Sequence, residues 1–73
     1  MQNSNERMLE NIKNFKAIRK KFKASRDQFG TVFLGKSKQV IANYERGKTP
    51  IPEAIMMLAR AWEQFLDALR GRE

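Results

Sequence analysis

Three long polar side chains lie close together in the middle of the chain, where residues 35–50 read GKSKQVIANYERGKTP. Lys38 and Gln39 begin a short helical pattern, and Asn43 follows Gln39 by four residues, which puts the two amides on one helical face. An amide offers a donor and an acceptor together and can pair bidentately with adenine, while a lysine can donate to guanine O6 and N7. These residue types at this spacing therefore suit hydrogen bonding to base edges.

Other chemistry is poorly supported by the same residues. Residues 30–37, GTVFLGKS, formally satisfy the phosphate-loop pattern GxxxxGKS/T, but no strand pattern precedes them and 73 residues cannot house the required sheet. The chain contains no cysteine and no histidine, which excludes disulfides and the usual zinc sites. No serine lies in a nucleophile-elbow setting. We therefore expect neither enzymatic activity nor a metal or other cofactor.

Positive charge is concentrated in the centre of the sequence. The formal net charge is +7, and residues 13–48 contain eleven Lys/Arg but only two acidic residues. A focused basic field of this kind is typical of a polyanion-binding surface, most often one for nucleic acid, and the alternative is a solvated basic surface with no partner.

No apolar run approaches the ~20 residues of a membrane span, and the first ten residues lack a signal-peptide core. The chain is expected to be cytoplasmic.

Glycine and proline divide the sequence into four helical segments. Apolar residues at steps of three and four predict one all-α domain over residues 6–70, with a flexible arm at 1–5 and a tail at 71–73. The predicted helices cover residues 6–23, 26–33, 38–46 and 52–70. Their predicted inward positions before the last helix are Met8, Leu9, Ile12, Phe15, Ile18, Phe22, Phe29, Val32, Phe33, Ile41 and Tyr44.

The ends of the central helices are marked by capping residues. Ser25 and Gln28 fit a capping box, Ser37 is the N-cap candidate of the third helix, and Gly47 is placed as its C-cap. Gly30 interrupts the second helix, which is explained if another helix backbone passes close to it.

The last helix carries more apolar surface than three short helices can cover. Its stripe comprises Ile55, Leu58, Ala59, Trp62, Phe65, Leu66 and Leu69, whereas Met56 is predicted to lie on the polar side. The surplus is a candidate surface for a second subunit. The candidate dimer residues are Met57, Ala61, Trp62, Phe65 and Leu69.

From about residue 18 to residue 62 the chain resembles the lambda-repressor-like helix-turn-helix domains of the Cro and XRE type. The residues that carry the resemblance are Ile18, Arg19, Ser25, Phe29, Gly30, Gly35, Ser37, Ile41, the block Tyr44, Glu45, Arg46, Gly47 and Lys48, then Pro50, Ile55, Leu58 and Ala59. The resemblance implies a four-to-five-helix domain, here with a long C-terminal helix. Two departures concern the second helix: the Ser25 to Ser37 spacing is one residue longer than usual, and Gly30 stands where alanine is common. A third is the uninterrupted helix after Trp62, where many relatives begin a fifth helix.

The resemblance also implies roles for individual residues. Lys38, Gln39 and Asn43 would contact bases, and Arg19 would pair with Glu45, as is common in the family. A carboxylate near a phosphate-binding surface is also better held in an internal ion pair. The residues expected to contact phosphates are Arg26, Lys36, Ser37, Arg46 and Lys48.

The function expected from this pattern is that of a sequence-specific regulator of transcription, a repressor, bound as a homodimer to a palindromic operator. Two recognition helices would then enter successive major grooves about 34 Å apart. We expect no membrane partner and no small-molecule ligand, and regulators this compact resemble phage or mobile-element control proteins.

The main alternative is an antitoxin or protein-binding adaptor that uses its last helix as the partner surface. RNA binding and membrane attachment through the first helix are weaker alternatives.

Overall fold

The computed structural model describes residues 4–71, and within them the fold is entirely helical, as predicted. The four helices are α1, Ser4–Lys21; α2, which begins as Arg26–Gln28 and continues as a π-helix over Phe29–Leu34; α3, Lys38–Arg46; and α4, Glu53–Arg70. Helix α1 already begins at Ser4, so residues 4–5 of the predicted arm (1–5) are helical. Residues 1–3 of that arm, like residues 72–73 of the predicted tail, lie outside the described part of the chain.

Helix α1 ends two residues earlier than predicted because Lys23 takes the left-handed conformation, with φ of 54°. The Lys23 amide donates to Lys20 O at 3.0 Å and the Ala24 amide donates to Arg19 O at 3.4 Å. These two bonds satisfy the last carbonyls of the helix in the Schellman arrangement, in which glycine is the usual left-handed residue. The chain is thereby turned sharply toward α2.

Helix α2 widens into a π-helix over Phe29–Leu34, in which hydrogen bonds close one residue later than in an α-helix. The helix ends at Leu34, one residue beyond its predicted end. The capping box is present as predicted: the Gln28 amide donates to Ser25 Oγ, and the Ser25 amide donates to Gln28 Oε1. Gly30 O then accepts from both Gly35 and Lys36 at the end of the widened helix.

Gly30 lies where no side chain fits. A Cβ atom built on it would overlap the Lys36 carbonyl oxygen and would lie 2.8 Å from Ile41 Cγ1. The close neighbour is thus the backbone of the turn, together with a side chain of α3, and not the helix backbone that we expected. Glycine allows the turn to fold back against α2.

An aromatic core joins the first three helices. Phe15, Phe29 and Ile41 are completely buried, and the Phe15 ring lies edge-on to Phe29 at 5.2 Å and to Tyr44 at 6.0 Å. Such edge-to-face pairs contribute about 0.5–1.5 kcal/mol beyond the apolar area that they bury. Ile41 and Tyr44 face inward as predicted.

Several apolar positions were wrongly predicted. Leu9 and Val32 are exposed. Leu9 lies four residues before Lys13, on the solvent-facing side of α1, and Val32 lies in the π-helix, where Leu34 is buried instead. Met56, predicted on the polar side of α4, is only 2% exposed. The first turns of α4 pack against α1 and Ile51, so the buried arc of α4 is shifted toward Met56. Leu58 and Phe65, on the opposite border of the predicted stripe, are consequently exposed.

Candidate nucleic-acid interface

Helix α3 is held by its ends and by one buried face. Ser37 Oγ accepts from the Val40 amide at 3.3 Å, and Gly47, at φ 77°, ends the helix with amide bonds to Asn43 O and Tyr44 O. Ile41, Ala42, Tyr44 and Glu45 are buried. Both predicted caps are therefore present, and the opposite face of the helix is left free to meet a ligand.

The exposed face of α3 presents two amides that are already oriented by one another. Gln39 Nε2 donates to Asn43 Oδ1 at 3.2 Å. Each amide nitrogen carries two N–H donors and each amide oxygen can accept twice, so Gln39 retains one donor and its own oxygen, and Asn43 retains both donors. The pair can still offer the donor and acceptor combination that an adenine edge requires. Lys38 is exposed one residue before Gln39.

Exposed cations lie at both ends of α3. Within residues 4–71 none of them forms an ion pair. Arg46 and Lys48 at the C-terminal end complement the negative end of the helix dipole, whereas Lys36 and Lys38 lie at its positive end and are disfavoured there. A negatively charged ligand would relieve that repulsion. These exposed cations are Lys36, Lys38, Arg46 and Lys48.

Glu45 ties the three core helices together behind this face. Arg19 donates to its carboxylate from Nε at 2.7 Å and from Nη2 at 3.1 Å, the pairing that the resemblance implied. Arg26 donates from Nε at 3.0 Å to the same carboxylate. The Glu45 side chain is fully buried, while those of Arg19 and Arg26 are 16% and 36% exposed.

The structure therefore gives Arg26 a contact that sequence reasoning missed. Arg26 was assigned to phosphate, but its Nε is used by Glu45, so only the exposed end of its guanidinium remains for a ligand. The two residues are 19 positions apart, and no spacing rule relates them. Arg19 is also held on its other side, where Nη1 donates to Ala24 O at 3.0 Å.

Lys21 of α1 is paired with acidic residues of α4. Lys21 Nζ lies 2.7 Å from Glu63 Oε2 and 3.7 Å from Asp67 Oδ2. The hydrogen bond to Glu63, aided by both negative charges, raises the pKa of Lys21 above its usual value.

Helix α4 exposes a continuous apolar stripe beside its buried face. Of the predicted dimer residues, Met57, Ala61, Phe65 and Leu69 are exposed, but Trp62 is half-buried. Trp62 Nε1 donates to Phe33 O at 2.8 Å, and its ring lies edge-on to Phe33 at 5.0 Å, so Trp62 fastens α4 to α2. Further exposed apolar residues on this face were not among the candidates. The stripe, named the α4 stripe below, comprises Ala54, Met57, Leu58, Ala61, Phe65, Ala68 and Leu69.

Comparison of the chain with protein-family models, curated proteins and solved structures finds no match. Among the described helices none has the length and apolar character needed to cross a membrane. Residues 4–71 also contain no cluster of three or more His, Cys, Asp or Glu side chains that could hold a metal ion. The candidate interface is therefore interpreted from its own geometry.

Proposed function

We propose that this chain is a double-stranded DNA-binding regulator of transcription of the lambda-repressor-like helix-turn-helix type, acting in the cytoplasm. The observation that carries the proposal is the exposed Gln39–Asn43 amide pair on a rigidly capped helix, between unpaired cations at both helix ends. The major groove of B-DNA admits one α-helix and displays a distinct donor and acceptor pattern for each base pair. An amide pair reads that pattern, while the flanking cations meet the phosphates on either side.

The buried face of α3 supports this function as much as the exposed face does. Ile41 and Tyr44 anchor the helix in the core, and Glu45 joins it to α1 and α2 through two arginines. A recognition helix must be held within a fraction of an ångström for base contacts to discriminate. Helix α3, only nine residues long, obtains that rigidity from its surroundings.

A second copy of the chain is the partner that we propose for the α4 stripe. Ala54, Ala61 and Ala68 recur every seven residues, which allows a second helix to approach closely along one line. An antiparallel pairing centred on Ala61 would put Met57 of one copy opposite Phe65 of the other. A stripe about 10 Å wide on a helix about 27 Å long covers roughly 300 Å², well below the ~800 Å² per partner of a standard interface. Dimerisation is therefore weak in free solution and reinforced by a palindromic operator.

An antitoxin or adaptor role is the second candidate function. The same α4 stripe favours it, because an exposed apolar surface accepts a different protein as readily as a second copy. In that case the basic side of the molecule would still contact DNA, and the partner would regulate the complex.

The proposed function is tested by selection from a library of randomised DNA duplexes, followed by fluorescence anisotropy at several salt concentrations. We expect enrichment of a defined site that is bound at least 10³-fold more tightly than a scrambled duplex. Binding of the selected and scrambled duplexes with equal affinity, lost together as salt rises, would contradict sequence-specific recognition.

A further inference from the structure

A row of unpaired lysines follows helix α1 on the side away from α4. Lys13, Lys16 and Lys20 share one face by helical spacing, and Lys23 follows them just beyond the end of the helix. Within residues 4–71 none of the four forms an ion pair, although Lys21, on the other side of the same helix, is paired with Glu63. These four residues are named the α1 lysine row.

The α1 lysine row borders the C-terminal end of α3. Ile12 lies four residues before Lys16, and its Cδ1 atom would lie 3.5 Å from a Cβ atom built on Gly47, the C-cap of α3. Arg19 lies three residues after Lys16 and binds Glu45, near the end of α3. Lys16 therefore lies, along α1, between two of the residues that approach α3. The C-terminal end of α3 that they approach is where Arg46 and Lys48 are exposed.

The backbone conformation of Lys23 is an independent indication that the positive charge at this end of the α1 lysine row is functional. Its φ of 54° is a conformation that side chains other than glycine rarely adopt, and the Schellman turn that it forms is usually closed by glycine. A cation is thus retained where a glycine would relieve backbone strain. Strained residues of this kind concentrate at functional sites.

We propose that the α1 lysine row binds the phosphate backbone of DNA outside the segment contacted by α3. This inference rests on the proposed function and extends it. Lys13 and Lys20 are seven residues apart, about 10 Å along the helix, which matches the axial rise of about three successive phosphates of one strand. The row would add affinity without sequence preference, because phosphates carry no base information.

The test uses the selected site in two duplexes, one ending at the site and one extended by ten base pairs on each side. The double variant Lys13→Gln/Lys20→Gln removes two exposed cations of the row. We expect its salt dependence on the extended duplex to fall by about two units, at about 0.9 per phosphate contact, with little change on the short duplex. Its preference for the site over a scrambled duplex of equal length should persist.

The matched control is Arg7→Gln/Arg70→Gln, which removes the same charge from exposed residues outside the row. If the salt dependence on the extended duplex fell equally in both double variants, the change would be explained by the loss of net charge alone, and the inference would be overturned. An unchanged salt dependence in Lys13→Gln/Lys20→Gln would also overturn it. If the wild-type chain itself shows no preferred site, the proposed function fails first. The contribution of the α1 lysine row is then measured separately, as the change in salt dependence on short and extended scrambled duplexes.

The variant Lys23→Gly distinguishes the backbone strain at Lys23 from the contribution of its charge to DNA binding. Glycine relieves the left-handed backbone, so the thermal midpoint should rise, while loss of the cation should lower the salt dependence on the extended duplex by about one unit. A stabilised variant that binds DNA like the wild type would overturn the role of Lys23 in the row. Lys23→Arg, which keeps the charge and the strain, should match the wild type in both measurements.

Discussion

Arg19 and Arg26 share a single buried carboxylate, that of Glu45, with donor distances of 2.7 Å and 3.0 Å from the two Nε atoms. Through this arrangement the end of α3 is joined both to the end of α1 and to the start of α2. A charge buried in this way is tolerated because both of its oxygens are hydrogen-bonded to guanidinium groups. The two arginines are consequently oriented on the basic side of the molecule, where Arg26 keeps its exposed end.

Replacing Glu45 by Gln is expected to lower the free energy of unfolding by about 3 kcal/mol, because two arginines would lose their common anion. Urea denaturation at neutral pH measures the change. Glu63→Gln is the control: it breaks an ion pair with the exposed Lys21, and such pairs contribute about 0–1 kcal/mol. Equal effects of the two substitutions would contradict a structural role for the buried carboxylate.

Gly30→Ala is expected to destabilise the fold by about 1–3 kcal/mol, as overpacking does. The added methyl group would overlap the Lys36 carbonyl oxygen and Ile41, neither of which can move without displacing α3. Gly71→Ala, at the end of α4 with φ of −68°, should change stability little. A neutral Gly30→Ala in thermal denaturation would show that α2 can return to α-helical geometry.

Gln39→Ala should reduce discrimination between the selected site and a scrambled duplex by about 1–3 kcal/mol. The substitution removes one base-contacting amide and also leaves Asn43 without its hydrogen-bond partner. Anisotropy titrations of both duplexes give the ratio of the two affinities directly. Intact discrimination would mean that another face of the molecule recognises the bases.

Lys48→Ala should weaken binding to both duplexes equally and should lower the salt slope by about one unit. Lys48 is exposed just beyond the C-cap of α3, where a side chain reaches a phosphate more easily than a base. The titrations are repeated between 50 and 200 mM salt. A selective loss on the preferred site would instead assign Lys48 to base contact.

Phe65→Glu should abolish self-association through the α4 stripe, because it places a charge on each copy within a shared apolar contact. Phe65 is 55% exposed, so the fold of the monomer should persist, as circular dichroism can verify. Sedimentation equilibrium and binding to a palindromic duplex provide the measurement: the wild type should bind the two half-sites cooperatively and Phe65→Glu should bind them independently. Unchanged cooperativity would exclude this surface from the dimer.

The sequence by itself determined the helical class, the caps of α2 and α3 and the inward positions of α3. These features depend on short spacings or on residue types with one dominant use, such as a serine before a helix or a glycine after it. The amide face of α3 was also visible in sequence, because helical spacing alone puts Gln39 and Asn43 together.

Only the tertiary structure decided that α2 widens into a π-helix, which border of the α4 stripe is buried and where Arg26 donates. Apolar spacing does not distinguish an α-helical from a π-helical turn, and the π-helical form of α2 goes together with the close packing of Gly30 against the following turn. Burial of Met56 and exposure of Phe65 follow from the side on which α1 meets α4, and periodicity carries no information about that side. Arg26 and Glu45 meet because three helices converge at one carboxylate, and such long-range contacts follow from the packing of whole helices.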